Sequence, residues 1–146
     1  MATQARRDST DHPGYLLKRA QTALHAAMAT ALHEYGPTLA QYAVLTALDE
    51  EPGLSNAELA RRAFVTPQTM NQVLHELEQR HWVTRRAHPG HGRILQADLT
   101  DVGRQTLRAC HQAADAVEKR MLAKLSPVDR QQLATALRTC IDGLSQ

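Results

Sequence analysis

Gln68, Thr69 and Gln72 recur at spacings that put all three on one side of a helix, within its first two turns. Amide and hydroxyl side chains so arranged can read the edges of bases. A Gln pairs with N6 and N7 of adenine, and a Thr bonds a base or meets a thymine methyl. Asn71 and His75 are their neighbours and can reach phosphates or bases. Arg85 and Arg86 follow in a β-prone run and fall on opposite faces of a strand, so one can contact phosphate while the other faces elsewhere. Arg93 stands just past the turn sequence Pro89-Gly90-His91-Gly92. Arg61 and Arg62 can clamp phosphate or pair with Glu58.

Other chemistries find less support. His88 and His91 have an HxxH spacing, and His25 and His33 lie about two helical turns apart. Zinc prefers closed sets of four ligands, and no such set converges by spacing. No metal and no cofactor are therefore expected. Cys110 and Cys140 lie far apart with no CxxC partner. They read either as reduced core thiols or as a redox pair, which requires Cα atoms within about 7 Å. There is no nucleophile–base arrangement and no glycine loop to cradle a phosphate, so an enzyme is not expected.

The elements that must carry these side chains follow from periodicity and punctuation. Leu17, Ala20, Leu24, Ala27, Ala31 and Tyr35 form one helical stripe, widened by Leu16, Ala23, Met28 and Leu32, up to Gly36-Pro37. A second helix runs from Thr38 to Pro52-Gly53. Ser55 and Glu58 form a capping box on the short helix NAELARRA. Thr66 caps the next helix, Pro67 takes its first position, and Met70, Val73, Leu74 and Leu77 make its inner face. Its outer face carries Gln68, Thr69, Gln72, His75, Glu76 and Gln79. WVTRRAH and RILQADL flank the turn as a hairpin. Thr100 caps a long helix reaching about Leu125, and Ser126-Pro127 restarts the chain into a last helix striped with Leu133, Leu137, Ile141 and Leu144. The expected class is mainly α with a small β wing, a winged helix-turn-helix.

Composition agrees with that class. The chain has 146 residues and few aromatics, so its core must be mostly Leu, Ala and Val. No apolar run approaches the roughly 20 residues of a membrane span, and the start, MATQARRDSTDHPG, lacks a signal-peptide stretch. No membrane partner is expected, and the expected compartment is the bacterial cytoplasm. The net charge is only +2, but it is unevenly spread. Met1 to Gly53 holds six acids against four bases, whereas Leu54 to Asp98 holds six bases against four acids, with four His besides. Phosphate binding needs local cations more than a large total.

LAQYAVLTAL, LSNAELARRAFVTPQTMNQVLHELEQRHWV and GRILQADLTDVGRQTL, in this order and spacing, make the chain resemble the MarR (multiple antibiotic resistance regulator) family of bacterial transcription factors, from about Tyr15 to the end. The resemblance implies a homodimer on a pseudo-palindromic double-stranded operator, most often as a repressor that a small molecule modulates. The polar start reads as a flexible tail over 1–13, and the resemblance implies a winged helix-turn-helix domain over 14–146. Within that domain, 14–36 and 100–146 are dimerisation helices, 38–99 is the DNA-binding lobe and 82–99 is the wing. It assigns base contacts to Gln68, Thr69 and Gln72 and a minor-groove contact to Arg93. An effector pocket is expected between the dimerisation helices and the lobe, with Tyr15, His33, Tyr35, Tyr42 and Leu45 as candidate lining. The alternatives are a thiol-redox regulator working through Cys110 and Cys140, or a winged helix that binds proteins. Two positions depart from the family pattern. His81 stands where a glycine usually follows the recognition helix, so either it takes up left-handed backbone or the helix ends differently. His91-Gly92-Arg93 replaces the usual Asp-x-Arg of the wing.

Overall fold

A computed structural model describes residues 11–145. Most of the expected tail over 1–13 lies outside the described residues, and Pro13 already opens the first helix. The order is α1 (Pro13–His33), α2 (Leu39–Glu50), β1 (Leu54–Ser55), α3 (Asn56–Ala63), α4 (Pro67–Gln79), β2 (Val83–His88), β3 (His91–Leu99), α5 (Asp101–Leu122) and α6 (Pro127–Leu144). The expected winged helix-turn-helix, mainly α, is the observed architecture.

Helix starts follow local hydroxyl chemistry, because each first turn leaves backbone N–H groups without partners. The side chains of Thr38, Ser55, Thr66, Thr100 and Ser126 accept from the N–H three residues on and open α2 to α6, whereas His12 before α1 makes no side-chain cap bond. Ser55 with Glu58 makes the expected capping box, and Thr38 with Gln41 makes a second. Pro stands in the first turn of α1, α4 and α6, where its missing N–H costs nothing. The long helix α5 stops at Leu122, short of Leu125, and a turn closed by Leu125 N–H on Leu122 O leads into α6.

The sheet runs β1-β3-β2, antiparallel throughout. Its third strand was not expected. Leu54–Ser55 is too short to alternate, and it pairs with Ala97 and Gln96 of β3 directly before α3 begins. Between β2 and β3 the turn is only Pro89-Gly90, and a bulge falls at Ala87/His88.

The core lies where α2, α3, α4, the sheet and the start of α5 converge. Leu45, Leu48, Leu59, Met70, Leu74, Leu77, Val83, Ala97 and Leu107 are buried there. Met70, Leu74 and Leu77 are the inner face of α4, so its orientation is set by packing. The flanking helices are different. Leu32 is the one buried residue of α1 among those described, and α6 has none. Val128, Ile141 and Leu144 stand 62%, 61% and 88% exposed.

The non-glycine at position 81 adopts the left-handed backbone. His81 has φ 59°. Its N–H bonds Glu78 O at 2.9 Å, and Trp82 N–H reaches back to Leu77 O at 3.1 Å. This is a Schellman closure, the one a glycine normally serves. The Thr100 hydroxyl donates to His81 O, and Thr100 N–H bonds Trp82 O at 3.0 Å, so α5 is tied to the end of α4. Left-handed backbone costs an L-residue about 1–2 kcal/mol. His81→Gly is therefore expected to raise unfolding stability by about 1 kcal/mol. The check is a urea midpoint at fixed protein concentration, with the slope unchanged.

Cys110 is fully buried on α5, and burial pushes its thiol up from the ordinary value of 9.0. The buried thiol keeps its proton at a pH where the unfolded chain has lost it. The contribution is intact below pH 9 and is lost as pH rises beyond it. Cys110→Ala should lose less stability than the unaltered chain between pH 8 and pH 10, read from urea midpoints; equal losses would refute this.

Candidate nucleic-acid interface

The first two turns of α4 keep one face open to solvent. The Thr66 hydroxyl caps the helix by accepting from Thr69 N–H at 3.1 Å, and it also donates to the Thr69 hydroxyl at 3.0 Å. Gln68, Thr69, Asn71, Gln72 and His75 are all exposed, while Met70 between them is buried. The helix is thus held by one face and offers amides, hydroxyl and imidazole on the other.

The wing arginines take three different roles. Arg85 lies on the face of β2 turned toward α4. Its Nε donates to Glu78 Oε1 at 2.6 Å and one terminal nitrogen to Asn71 Oδ1 at 3.0 Å. Only 15% of its side chain is exposed, so it braces the wing against α4. Arg86 points the other way, donating to Asp98 Oδ2 at 2.7 Å and to Gln96 Oε1 at 2.9 Å. Arg93 is exposed on β3 and has no ion pair among the described residues. Of the three wing arginines it alone has no carboxylate partner among the described residues. A cleft of about 320 Å³ is lined by Arg93, Arg85 and Asn71 together with Asn56 at the start of α3. Asn56 donates to Pro67 O at 3.0 Å, which ties the start of α3 to the start of α4.

Arg62 pairs with Glu51 across α2 and α3. Glu58 is not its partner, because that carboxylate is already engaged by Ser55 N–H at 2.9 Å. Arg61 remains exposed.

Three side chains behind the interface were not picked out from the sequence. Glu76 was placed on the outer face of α4, yet it is half-buried and accepts from Gln41 Nε2 at 2.9 Å. Gln41 is 4% exposed. Arg80 donates to Gly36 O at 2.9 Å and lies 4.7 Å over the Trp82 ring, joining the end of α4 to the α1–α2 connection. The Thr38-x-x-Gln41 spacing was a readable capping signal. The Gln41–Glu76 and Arg80–Gly36 contacts span 35 and 44 residues, and no local pattern announces them.

The five candidate pocket residues are distributed along α1, the α1–α2 connection and α2. Tyr15 and Tyr35 are 42% and 40% exposed, and His33 is exposed. Leu45 is part of the core with no exposed surface. The Tyr42 hydroxyl lies 2.7 Å from His111 Nδ1 of α5, and burial raises its pKa above the usual phenol value. Cys110 and Cys140 are both free thiols, one buried and one exposed. Among the described residues no group of three or more His, Cys, Asp or Glu could hold a metal ion, and no helix is long and apolar enough to cross a membrane.

Comparison with known proteins follows the same outline. The MarR family profile matches residues 35–94, from the end of α1 into the wing. The repressor Rv2887 of Mycobacterium tuberculosis is 40% identical over 124 residues, covering 85% of this chain and 89% of the relative. The crystal structure of Rv2887 with DNA superposes with a TM-score of 0.76 at 36% identity, over 88% of this chain and 97% of that one. Its complex with salicylic acid gives 0.74 at 39%, over 90% and 98%. The repressor CouR, bound to a 23-mer DNA duplex, gives 0.82 at 30%, over 89% and 92%. Fold, helix-turn-helix and relatives agree that the chain belongs to the MarR family.

Proposed function

We propose that this chain is a cytoplasmic repressor that binds an inverted-repeat operator as a homodimer and releases it on binding an aromatic carboxylate. The observation that carries the proposal is the exposed polar start of α4 set beside the uncommitted Arg93 of the wing. On this reading Gln68, Thr69 and Gln72 meet base edges in the major groove, and Asn71 and His75 add contacts beside them. Arg93 enters the adjacent minor groove. Arg85 holds the wing at the right angle to α4, and Arg86 lies on the opposite strand face. The chain acts by binding and carries out no reaction.

The dimer is supported by what α1 and α6 leave uncovered. A mostly apolar groove of about 250 Å³, lined by Ala20, Leu24, Ala27, Val117 and Met121 with one cation, Arg120, runs between α1 and α5, and Val128, Ile141 and Leu144 of α6 stand exposed. Exposed patches of that kind mark association surfaces. The stretches 14–36 and 100–146 are assigned to the dimer interface on this ground, and 38–99 to DNA. The effector class is supported by the salicylic acid complex of Rv2887. Tyr15, His33, Tyr35 and Tyr42, with Leu45 behind them, are its proposed neighbours. A thiol switch is disfavoured because burial holds Cys110 in its protonated, unreactive form.

The test is binding to duplex DNA from upstream of the chain's own coding sequence, followed by fluorescence anisotropy over a salt series. Arg93→Ala should weaken operator and unrelated DNA alike and lower the salt slope by about 1 per subunit. Gln72→Ala should cost about 1–3 kcal/mol on the operator and little on unrelated DNA. Two variants that bind like the unaltered chain would overturn the site. No retention of any duplex would make the wing a protein-binding module instead. Saturating salicylate should dissociate the operator complex, and a complex that survives it would assign the signal elsewhere.

A further inference from the structure

Behind Gln72 lies a row of hydrogen bonds whose direction is fixed by chemistry at each step. The Gln41 side chain accepts from Thr38 N–H through Oε1 at 3.1 Å. Its Nε2 donates to Glu76 Oε2 at 2.9 Å. Gln72 Nε2 donates to the other oxygen, Glu76 Oε1, at 3.2 Å. An amide normally has two orientations that differ by exchange of oxygen and nitrogen. Here that ambiguity is removed. An ionised carboxylate only accepts, so Gln72 and Gln41 must each turn nitrogen toward Glu76. Gln41 is doubly determined, because a backbone donor already occupies its oxygen.

We propose that Glu76 is a positioning residue for operator readout: anchored by the buried Gln41, its carboxylate holds the Gln72 amide in the one orientation that favours adenine. This rests on Gln72 being a base-contacting residue. With one Nε2 hydrogen held by Glu76, Gln72 presents its oxygen and its second N–H outward. That is one acceptor beside one donor, the complement of adenine N6–H and N7. Guanine offers two acceptors on the same edge, and the fixed oxygen would face O6. A free amide could turn its nitrogen to O6 and tolerate guanine. Glu76 also places negative charge near the proposed DNA surface, which weakens attraction to any phosphate backbone. It therefore favours discrimination over raw affinity.

The experiment uses full-length protein and its operator duplex, with each A·T pair of the half-sites changed in turn to G·C. Gln72→Ala first identifies the pair at which discrimination is lost. At that pair Glu76→Ala should lower the A·T over G·C preference by about fivefold to tenfold per half-site. Affinity for unrelated DNA should stay the same or rise. In the Gln72→Ala background, Glu76→Ala should cause no further loss of preference. A merely structural Glu76 would weaken all duplexes together and add to Gln72→Ala, and that result overturns the proposal. Preference retained in Glu76→Ala but lost in Gln72→Ala overturns it too, while leaving the Gln72 contact standing. Preference retained in Gln72→Ala removes both. Should Glu76→Ala fail to fold, Glu76→Gln keeps the shape and supplies a single acceptor oxygen for two donors. Its preference should fall below that of the unaltered chain, and an unchanged preference overturns the proposal.

Discussion

The backbone around Trp82 touches the first turn of α5 with no room between them. A Cβ at Gly103 would lie 2.1 Å from the Trp82 carbonyl oxygen, closer than any side chain can come. The end of α4, the residue before β2 and the first turn of α5 are therefore one joint. Thr100 locks it from the α5 side, by the bonds of its hydroxyl and N–H to the His81 and Trp82 carbonyls. The elements proposed to read DNA are placed relative to this joint. Helix α4 leaves it in one direction, the wing in another and the long helix α5 in a third. Strain at His81 is tolerated because the surrounding hydrogen bonds over-determine that residue.

How much of this could be read from the residues depended on distance along the chain. Helix starts were legible because a hydroxyl and the N–H three residues on are a local pair. Ser55-x-x-Glu58 and Thr66-Pro67 gave α3 and α4 nearly to the residue. The alternation of Arg85 and Arg86 showed that they face apart, but not which of them meets α4, since that depends on where Glu78 and Asn71 arrive. The fork at His81 could not be closed from the residue type. Two backbone bonds decide it, and both depend on how the chain continues into Trp82. Glu76 looked like one more polar residue on an outer face. Its burial comes from Gln41, 35 residues earlier, folding over from α2. The strand at Leu54–Ser55 exists only because β3 offers an edge beside it.

Polar groups here divide into those already committed and those left open. Arg85, Arg86 and Arg62 are each spent on a carboxylate, whereas Arg93 is not. Cations already paired hold a surface in shape, and an unpaired one can exchange water for phosphate at smaller cost. The same division holds among the apolar groups. The core between α2 and β3 is closed with the help of Leu107 from α5, while α1 and α6 keep Leu and Ile side chains in water.

The tie between Arg80 and the Gly36 carbonyl has a mechanical consequence. It grips α4 at the end farthest from the turns proposed to read bases, and the grip is on the connection between α1 and α2. A helix of 13 residues is a rod about 20 Å long. Pivoting that rod by about 5° around the Arg80 end carries its tip through about 1.7 Å, half of the roughly 3.4 Å rise between successive bases on a strand. A rotation admitted at the Arg80 end thus arrives at Gln68 and Thr69 as a translation on the scale of half a base step.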